Sequence, residues 1–364
     1  MISLLSRNAS PAIARGASRV SAPSPALWAL AIAAVALNAP AVLADGDDTA
    51  SRTPLEVVVV TGRQPGPPLW RVSNGDNQLY VFPTFSPVPK GMIWESDRVA
   101  SVLADSQEVI FAPDVEADFS IGVMLNPINL IRGRRLAKRL TRNPDGKTLD
   151  EVLPPALYAR YEALRRRYFP RDDGLERDRP FVAGTRLSER IQREVGLVGG
   201  GQVTKPLRRL IKRQNHLERT RIEYVLPLKG SFKKLARRAD ELFESLSQEQ
   251  ELACFEAQLL RMEGDLEAMK SRANAWAQGY VDEFRDIPLP GDEADACLQL
   301  LRESSELATI DEVRGELEAR WLAAAEQALA NNARTFAILD IVELLREDGL
   351  LARLQSRGYE VWEP

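Results

Sequence analysis

The chain has 364 residues, of which 45% are hydrophobic and 27% are charged. This is the composition of an ordinary globular protein, and it excludes collagen-like, low-complexity and intrinsically disordered classes. The formal net charge of -4 gives no general argument for a nucleic-acid partner. The single histidine, His216, excludes a histidine-rich metal site, and two cysteines cannot build an all-cysteine zinc site.

Residues 1–44 have the pattern of a secretory signal peptide. Arginines but no acidic residues precede an apolar run at residues 26–37, which is shorter than the roughly 20 residues that a membrane span needs. Val42 and Ala44 then form a cleavage pattern of compact residues before Asp45. We therefore expect export with cleavage, a periplasmic or secreted location, and no membrane span in the mature protein.

Export changes how the two cysteines are interpreted. In an oxidising compartment, Cys254 and Cys297 are expected to form a disulfide. A bridge that closes a loop of roughly 40 residues would stabilise the fold by about 4 kcal/mol. The alternative, a redox-active or nucleophilic cysteine, lacks a CxxC pattern and a nearby basic residue that would activate the thiol.

The N-terminal part of the mature chain predicts a tether followed by strands. Residues 45–67 are rich in Asp, Thr, Pro and Gly apart from one valine run, and they predict a flexible tether to a domain at 68–364. Two β-rich runs, at 69–72 and 78–82, flank Asn74-Gly75, a dipeptide typical of hairpin turns, and Pro83 is expected just past the end of the second run. A short helix over 96–104 and a buried strand over 108–111 follow, and a proline ends that strand.

Helical patterns dominate the middle of the chain and predict a large helical insertion at about 120–332. A capping box, Ser247-x-x-Gln250, opens the longest of these patterns. The chain then returns to a strand at 335–339, a helix at 343–356 and a last strand at 359–362. The clearest helices predicted within the insertion are 155–168, 186–194, 207–216, 247–284 and 311–331.

Charge is divided unevenly along the chain. Residues 131–238 contain 29 Lys and Arg against 12 Asp and Glu, whereas residues 239–364 contain 11 against 28. This pattern favours basic and acidic helices that face each other within one fold. The alternative is a basic face for anionic lipid, lipopolysaccharide or polysaccharide, because clusters such as Arg132-Gly133-Arg134-Arg135 occur here. Nucleic acid is not expected, since few aromatic residues are interleaved with the basic ones.

Three further features carry little chemical information. The run Gly199–Lys205 lacks the spacing of a phosphate-binding loop and predicts a flexible loop between helices. His216 ends an arginine-rich helical pattern, where a surface histidine is more usual than a general base. Glu263 and Asp265 form a carboxylate pair of the kind that is common on solvated helix faces.

The two ends of the chain resemble the TraB/GumN family, which includes the Tiki-type proteins. The resemblance is carried by Leu69–Phe82, which is followed by a proline-rich turn and Trp94, and by Thr335–Ala337, Glu347–Leu351 and Leu354–Val361 near the C terminus. Trp321 also stands at the family's usual position. Over about 68–364, the resemblance implies an α/β fold in which the N- and C-terminal parts form a central mixed sheet around a large helical insertion.

The resemblance also implies a metallohydrolase site whose residues are missing here. Family members are thought to bind a divalent metal through two Gly-x-x-His motifs and a glutamate at the end of an early strand. The first motif falls on Pro83-Thr84-Phe85-Ser86 and the second on Asp340-Ile341-Val342-Glu343, while Ala112 stands in place of the glutamate. We therefore expect no metal, no cofactor and no catalytic residues at Pro83, Ser86, Ala112, Asp340 and Glu343.

Three functional hypotheses follow. The first is an exported, noncatalytic protein that binds a peptide, a glycan or an envelope partner through the inherited cleft. The second is a metal-dependent hydrolase or peptidase with a rebuilt site, in which Asp340 and Glu343 supply oxygen ligands to a hard cation. Against it, Glu343 is also where a carboxylate would favour the start of a helix. The third is an envelope interaction protein that uses its basic middle segment.

Overall fold

The computed structural model describes residues 62–117, 127–171, 174–226, 237, 246–264, 266–287, 297 and 310–364. The predicted signal peptide and most of the predicted tether lie outside these residues. The strands, in chain order, are β1 Arg63–Gln64, β2 Trp70–Asn74, β3 Asn77–Thr84, β4 Val88–Pro89, β5 Ile93–Trp94, β6 Glu108–Ile110, β7 Asp114–Ala117, β8 Leu197–Val198, β9 Glu218–Thr220, β10 Glu223–Leu226, β11 Arg334–Asp340 and β12 Glu360–Trp362.

The α-helices flank these strands and fill most of the segment between β7 and β11. In chain order they are α1 Asp97–Asp105, α2 Pro127–Thr141, α3 Leu149–Val152, α4 Pro155–Tyr168, α5 Pro180–Glu194, α6 Gly201–Arg213, α7 Gln248–Gly264, α8 Leu266–Gln278, α9 Val281–Asp286, α10 Ile310–Asn331, α11 Ile341–Leu345 and α12 Leu350–Ser356. No helix within these described residues is long and apolar enough to cross a membrane.

A mixed six-stranded sheet with the order β12-β2-β3-β11-β6-β9 forms the centre of the fold. Strand β11, near the C terminus, lies between β3 and β6 and runs parallel to both, so the two ends of the chain form one sheet. The predicted α/β fold with a helical insertion is therefore confirmed. The hairpin is also confirmed, because β2 and β3 pair across a turn at Gly75, whose φ is +58°.

The insertion is less purely helical than its sequence pattern predicts. Strand β9 comes from the insertion and adds an edge strand to the sheet, parallel to β6. Beyond the sheet, β7 and β10 continue the same two chain segments as a second parallel pair. Strand β9 has only three residues, Glu218, Arg219 and Thr220, and therefore lacks the apolar alternation by which a strand is recognised in a sequence.

Pro83 lies inside β3, so the prediction that it stands just past the strand end is wrong. Its register partner is Leu339, and the pairing of β3 with β11 continues to Thr84. The proline is tolerated because β2 pairs with β3 only as far as Val81, so at Pro83 the strand has a neighbour on one side alone. Its carbonyl oxygen accepts a hydrogen bond of 3.1 Å from the indole nitrogen of Trp276. Pro113, as predicted, lies past the end of β6.

Several predicted helices have different bounds. The pattern at 247–284 forms α7, α8 and α9, and the break before α9 falls at Gly279, which has a φ of +79°. A Cβ atom there would lie 2.9 Å from the carbonyl oxygen of Gly66, so glycine also permits this close approach. The capping box at the start of α7 is confirmed by reciprocal hydrogen bonds of 3.0 and 3.1 Å between Ser247 and Gln250.

The end of the predicted tether is part of the folded domain. Strand β1 pairs with β5, and the Gly66 amide donates a hydrogen bond of 2.9 Å to the carbonyl of Ala277 in α8. Gly66 is buried. The domain therefore begins a few residues before position 68, because turn-forming residues in this segment dock on the insertion instead of remaining a linker.

Ion pairs join the basic and acidic parts of the insertion. Arg160 of α4 contacts Glu256 at 3.0 Å and Glu263 at 2.7 Å, both in α7. Arg179, directly before α5, pairs with the buried Glu251 of α7. These contacts connect the segment of positive charge to the segment of negative charge, as the charge pattern predicts.

A disulfide between Cys254 and Cys297 is present, as predicted, and links α7 to a residue 43 positions later. Cys254 is fully buried and packs with Phe181 and Val182 of α5 in a small apolar cluster apart from the main core. The disulfide therefore cross-links α7 where it packs against α5.

Candidate functional site

The carboxyl edge of the parallel strands β3, β11 and β6 is the candidate site, because ligands of open α/β sheets bind at this edge. Thr84 ends β3 and Asp340 ends β11, and the two residues are register partners. The Thr84 hydroxyl donates a hydrogen bond of 3.2 Å to the carbonyl of Leu339. Thr84 and Asp340 thus lie side by side at the point where the two central strands end.

Asp340 caps the helix that follows it. Its Oδ1 accepts a hydrogen bond of 2.9 Å from the Val342 amide, and this bond begins α11. The residue is exposed to solvent, yet protein surrounds its carboxyl group on other sides, and this desolvation raises its pKa to about 6. The charge of Glu343 acts in the same direction, while the capping bond opposes it. Asp340 is therefore an accessible carboxyl group whose charge changes near pH 6.

Both carboxylate oxygens of Glu343 are engaged within the protein. Oε1 accepts a hydrogen bond of 3.0 Å from the Leu350 amide, at the start of α12. Oε2 accepts one of 2.9 Å from the Arg346 guanidinium. Glu343 lies in the first turn of α11, as the sequence analysis considered, and it joins the two short helices.

Gly349 permits the contact between Glu343 and α12. A Cβ atom at this position would lie 2.3 Å from the Glu343 carbonyl oxygen and 3.0 Å from that of Arg346. The predicted single helix at 343–356 is therefore two helices, α11 and α12, with a tight corner between them. The Glu347–Leu351 run that carries part of the family resemblance is this corner.

Ser86 points to a different element. It lies just beyond the end of β3, is exposed, and its Oγ accepts a hydrogen bond of 3.1 Å from the Gly200 amide at the start of α6. A Cβ atom on Gly200 would lie 3.1 Å from the Phe85 carbonyl oxygen, so this glycine allows the two segments to approach. The predicted flexible loop at Gly199–Lys205 is wrong, because α6 begins at Gly201.

Ala112 lies between β6 and β7 and brings no polar side chain to the sheet edge. The one acidic residue of β6, Glu108, stands at the opposite end of that strand and contacts Thr220 and Asn332. His216 is also committed elsewhere. Its Nε2 lies 3.0 Å from the Ser106 carbonyl, in a turn after the end of α6, so the predicted helix end at this residue is wrong.

The residues at the family's motif positions do not fit a catalytic metal ion. Within the described residues, no hydrogen bond or ion pair connects Ser86, Ala112 and Glu343. Nor does any group of three or more His, Cys, Asp or Glu side chains in this part of the chain have an arrangement that could hold a metal. A catalytic metal needs about three protein ligands. Of the described residues that end β3, β11 and β6, Asp340 supplies an accessible carboxylate, beside the hydroxyl of Thr84.

Sequence reasoning missed three residues that shape this edge. Thr84 stands within the first motif, but a threonine that ends a strand has no distinctive pattern. Gly200 and Trp276 come from the insertion, more than 100 positions away along the chain, and bond to Ser86 and Pro83 respectively. They reach the sheet edge because the insertion packs against the end of β3, which no local sequence pattern indicates.

The structure is that of an α/β protein whose central sheet is built by strands from both ends of the chain. A helical insertion separates these strands in the sequence, and the candidate site lies at the carboxyl edge of the sheet. The TraB/PrgY/gumN family model matches residues 68–362, and the chain belongs to this family. No curated protein matches the chain. No solved structure matches it either.

Proposed function

We propose that this protein is an exported, noncatalytic member of the TraB/PrgY/gumN family that binds a peptide or glycan of the envelope at the carboxyl edge of its sheet. The observation that carries the proposal is that the Glu343 carboxylate is hydrogen-bonded within the protein. Both of its carboxylate oxygens hold the corner between α11 and α12. A residue at a position where the family places a metal ligand thus has a structural task.

The chemistry of the edge supports binding of amide or hydroxyl groups. The carboxyl group of Asp340 is accessible and has a pKa of about 6. Near neutral pH most of it is ionised and accepts hydrogen bonds, while a minor protonated fraction donates one. Amides and hydroxyls are the polar groups of peptides and glycans, and both can satisfy such a carboxyl beside the Thr84 hydroxyl.

The competing function is a hydrolase with a rebuilt metal site. In that arrangement Glu343 would have to release the Leu350 amide and the Arg346 guanidinium in order to coordinate a cation. Buried or partly buried partners that lose a charged acceptor cost about 1–3 kcal/mol each. Two oxygen ligands at i and i+3 offer a hard cation too few donors to offset that loss.

Binding can be tested with the purified chain from residue 45 onward on peptide and peptidoglycan-fragment arrays. Asp340→Asn keeps a side-chain oxygen for the helix cap but removes the negative charge. We expect it to weaken binding roughly tenfold, the value of one hydrogen bond to a charged group. Asp348→Asn is the matched control, since Asp348 is exposed, pairs with Arg346 and does not end a strand of the sheet. Equal binding by both variants and the wild type would place the ligand elsewhere.

Export is tested separately. N-terminal sequencing of the protein recovered from its native host should begin near Asp45. An intact Met1 on protein in the extracellular or periplasmic fraction would contradict cleavage. The motivating pattern is the arginine-bearing N terminus, the apolar run and the residues before Asp45.

A further inference from the structure

Helix α2 has an outward face made of isoleucines and cations. Ile128 and Ile131 are 58% and 54% exposed. At 100° per residue they share an arc of about 120° with four basic residues. The exposed basic residues on this arc are Arg132, Arg135, Lys138 and Arg139. The helix contains no acidic residue, and its opposite side carries the buried Ala137 and Leu140.

Some cations of the insertion are engaged in ion pairs, whereas three of those on this face are not. Arg160 and Arg179 pair with glutamates of α7. Arg132, Arg135 and Lys138, by contrast, form no ion pair within the part of the chain that the structure describes. Their positive charge is therefore directed outward, next to two large apolar side chains that also face solvent.

The C-terminal end of α2 is fixed to the rest of the insertion. Arg142, directly after the helix, lies 3.2 Å from the buried carboxylate of Asp178. The Thr141 carbonyl accepts a hydrogen bond of 3.0 Å from the Arg179 amide. The helix is thereby held to the rest of the insertion at its last turn.

We propose that α2 docks on an anionic lipid bilayer, with Ile128 and Ile131 inserted at the headgroup boundary and Arg132, Arg135 and Lys138 on the lipid phosphates. Helices that lie in a membrane interface combine an apolar stripe with Lys and Arg. Each basic residue near an anionic surface adds to the attraction, and the attraction falls with salt. This surface is separate from the carboxyl edge of the sheet, so it goes beyond the proposed ligand-binding function.

The isoleucines decide between a bilayer and a soluble polyanion. A polysaccharide or nucleic acid would be held by the arginines and lysine alone, and exposed isoleucines would add nothing to its binding. A bilayer uses both, because insertion removes apolar surface from water while the cations remain at the phosphates. The bilayer is therefore the partner that accounts for the whole face.

The test is cosedimentation of the mature protein with vesicles of phosphatidylcholine and phosphatidylglycerol at 3:1, compared with pure phosphatidylcholine vesicles. We expect binding to the anionic vesicles only, and a large loss of it in 0.5 M NaCl. The double variant Arg132→Ser/Arg135→Ser should bind roughly 25-fold more weakly, about fivefold for each charge. Ile128→Ser/Ile131→Ser should bind roughly tenfold more weakly or worse.

Matched controls come from other surfaces of the chain. Ile93, in β5, is 60% exposed, and Ile93→Ser should bind like the wild type. Lys212→Ser/Arg213→Ser removes two exposed cations at the end of α6 and should also have little effect. Circular dichroism checks that every variant keeps its helical content.

Three results would overturn the proposal. They are absence of binding to the anionic vesicles, equal losses in the α2 variants and the controls, and equal binding to both vesicle types. Salt-sensitive vesicle binding that survives Ile128→Ser/Ile131→Ser would show that the isoleucines do not insert, and it would remove the argument for a bilayer over a soluble polyanion. Loss of vesicle binding with unchanged array binding would separate this surface from the carboxyl edge.

Discussion

The sheet and the helical insertion differ in the number of charged side chains that they bury. Among the described residues, the buried charged side chains all belong to the insertion, and they are Asp178, Glu251, Lys270 and Arg272. The buried polar residues next to or within the sheet are the neutral Ser106 and Thr335. The sheet is thus specified by apolar pattern, whereas the insertion also depends on charged pairs between distant parts of the chain.

The buried ion pairs are costly as well as necessary. Asp178 is fully buried and pairs with Arg142 at 3.2 Å and with Arg186 at 2.6 Å. Desolvation still raises the pKa of Asp178 and of Glu251, so it outweighs the attraction of the arginines. Such pairs are weak evidence for net stability, but removing one partner is strongly destabilising. They hold helices in one arrangement.

The largest expected effect is that of the disulfide. Closing a loop of 43 residues stabilises a fold by about 4 kcal/mol in the chain-entropy model. Cys254→Ser/Cys297→Ser should lower the free energy of unfolding by that order, as measured by urea denaturation. Dithiothreitol should lower the stability of the wild type and leave the double variant unchanged. Two alkylatable thiols in the native protein would contradict the bridge.

Breaking the buried charge network is the second test of the difference between the insertion and the sheet. Asp178→Ala should cost about 3 kcal/mol, because it leaves two arginines without their buried carboxylate. Arg285→Ala is the control, since the Arg285–Glu363 pair of 2.5 Å is exposed and should be worth less than about 1 kcal/mol. Equal costs in urea denaturation would remove the distinction between the buried network and surface pairs.

The smallest expected effect is the pH dependence that Asp340 contributes, because this residue is exposed and solvent screens its interactions. Its folded-state pKa of about 6 lies above the ordinary value of 3.8. The folded state therefore binds more protons between these values, and this group makes unfolding easier as pH rises from about 4 to 6. Asp340→Asn should flatten that part of the stability profile. NMR titration of the Asp340 carboxyl carbon with a midpoint near 4 would contradict the assignment.

The features that the sequence predicted depend on local pattern. The Asn74-Gly75 turn, the Ser247–Gln250 capping box and the helix over 155–168 all form as predicted, the last with the same bounds. The family resemblance predicted that strands near the two ends of the chain form one sheet, and in that sheet β11 pairs with β3, more than 250 positions away. For the candidate site, the sequence alone indicates which residues stand at the motif positions, but not which of them lie together at the sheet edge.

The features that the sequence missed depend on contacts across the fold. Nothing local indicates that Pro83 stays within a strand, because this depends on where the pairing with β2 ends. The role of Glu343 as a cap for α12 needs the corner that Gly349 permits. The Gly200–Ser86 contact joins a strand end to a helix start in the insertion. Each of these required the register and packing of the whole domain.

Metal content tests most directly the proposal that Glu343 holds a structural corner and does not bind a metal ion. The mature protein is dialysed against Mn²⁺, Co²⁺ and Zn²⁺, analysed for bound metal and assayed for peptide cleavage. Arg346→Ala serves as a control, since it loosens the corner without removing an oxygen donor. The account predicts no stoichiometric metal and no metal-dependent cleavage. One metal per chain, with turnover abolished by Glu343→Ala but retained in Arg346→Ala, would contradict it.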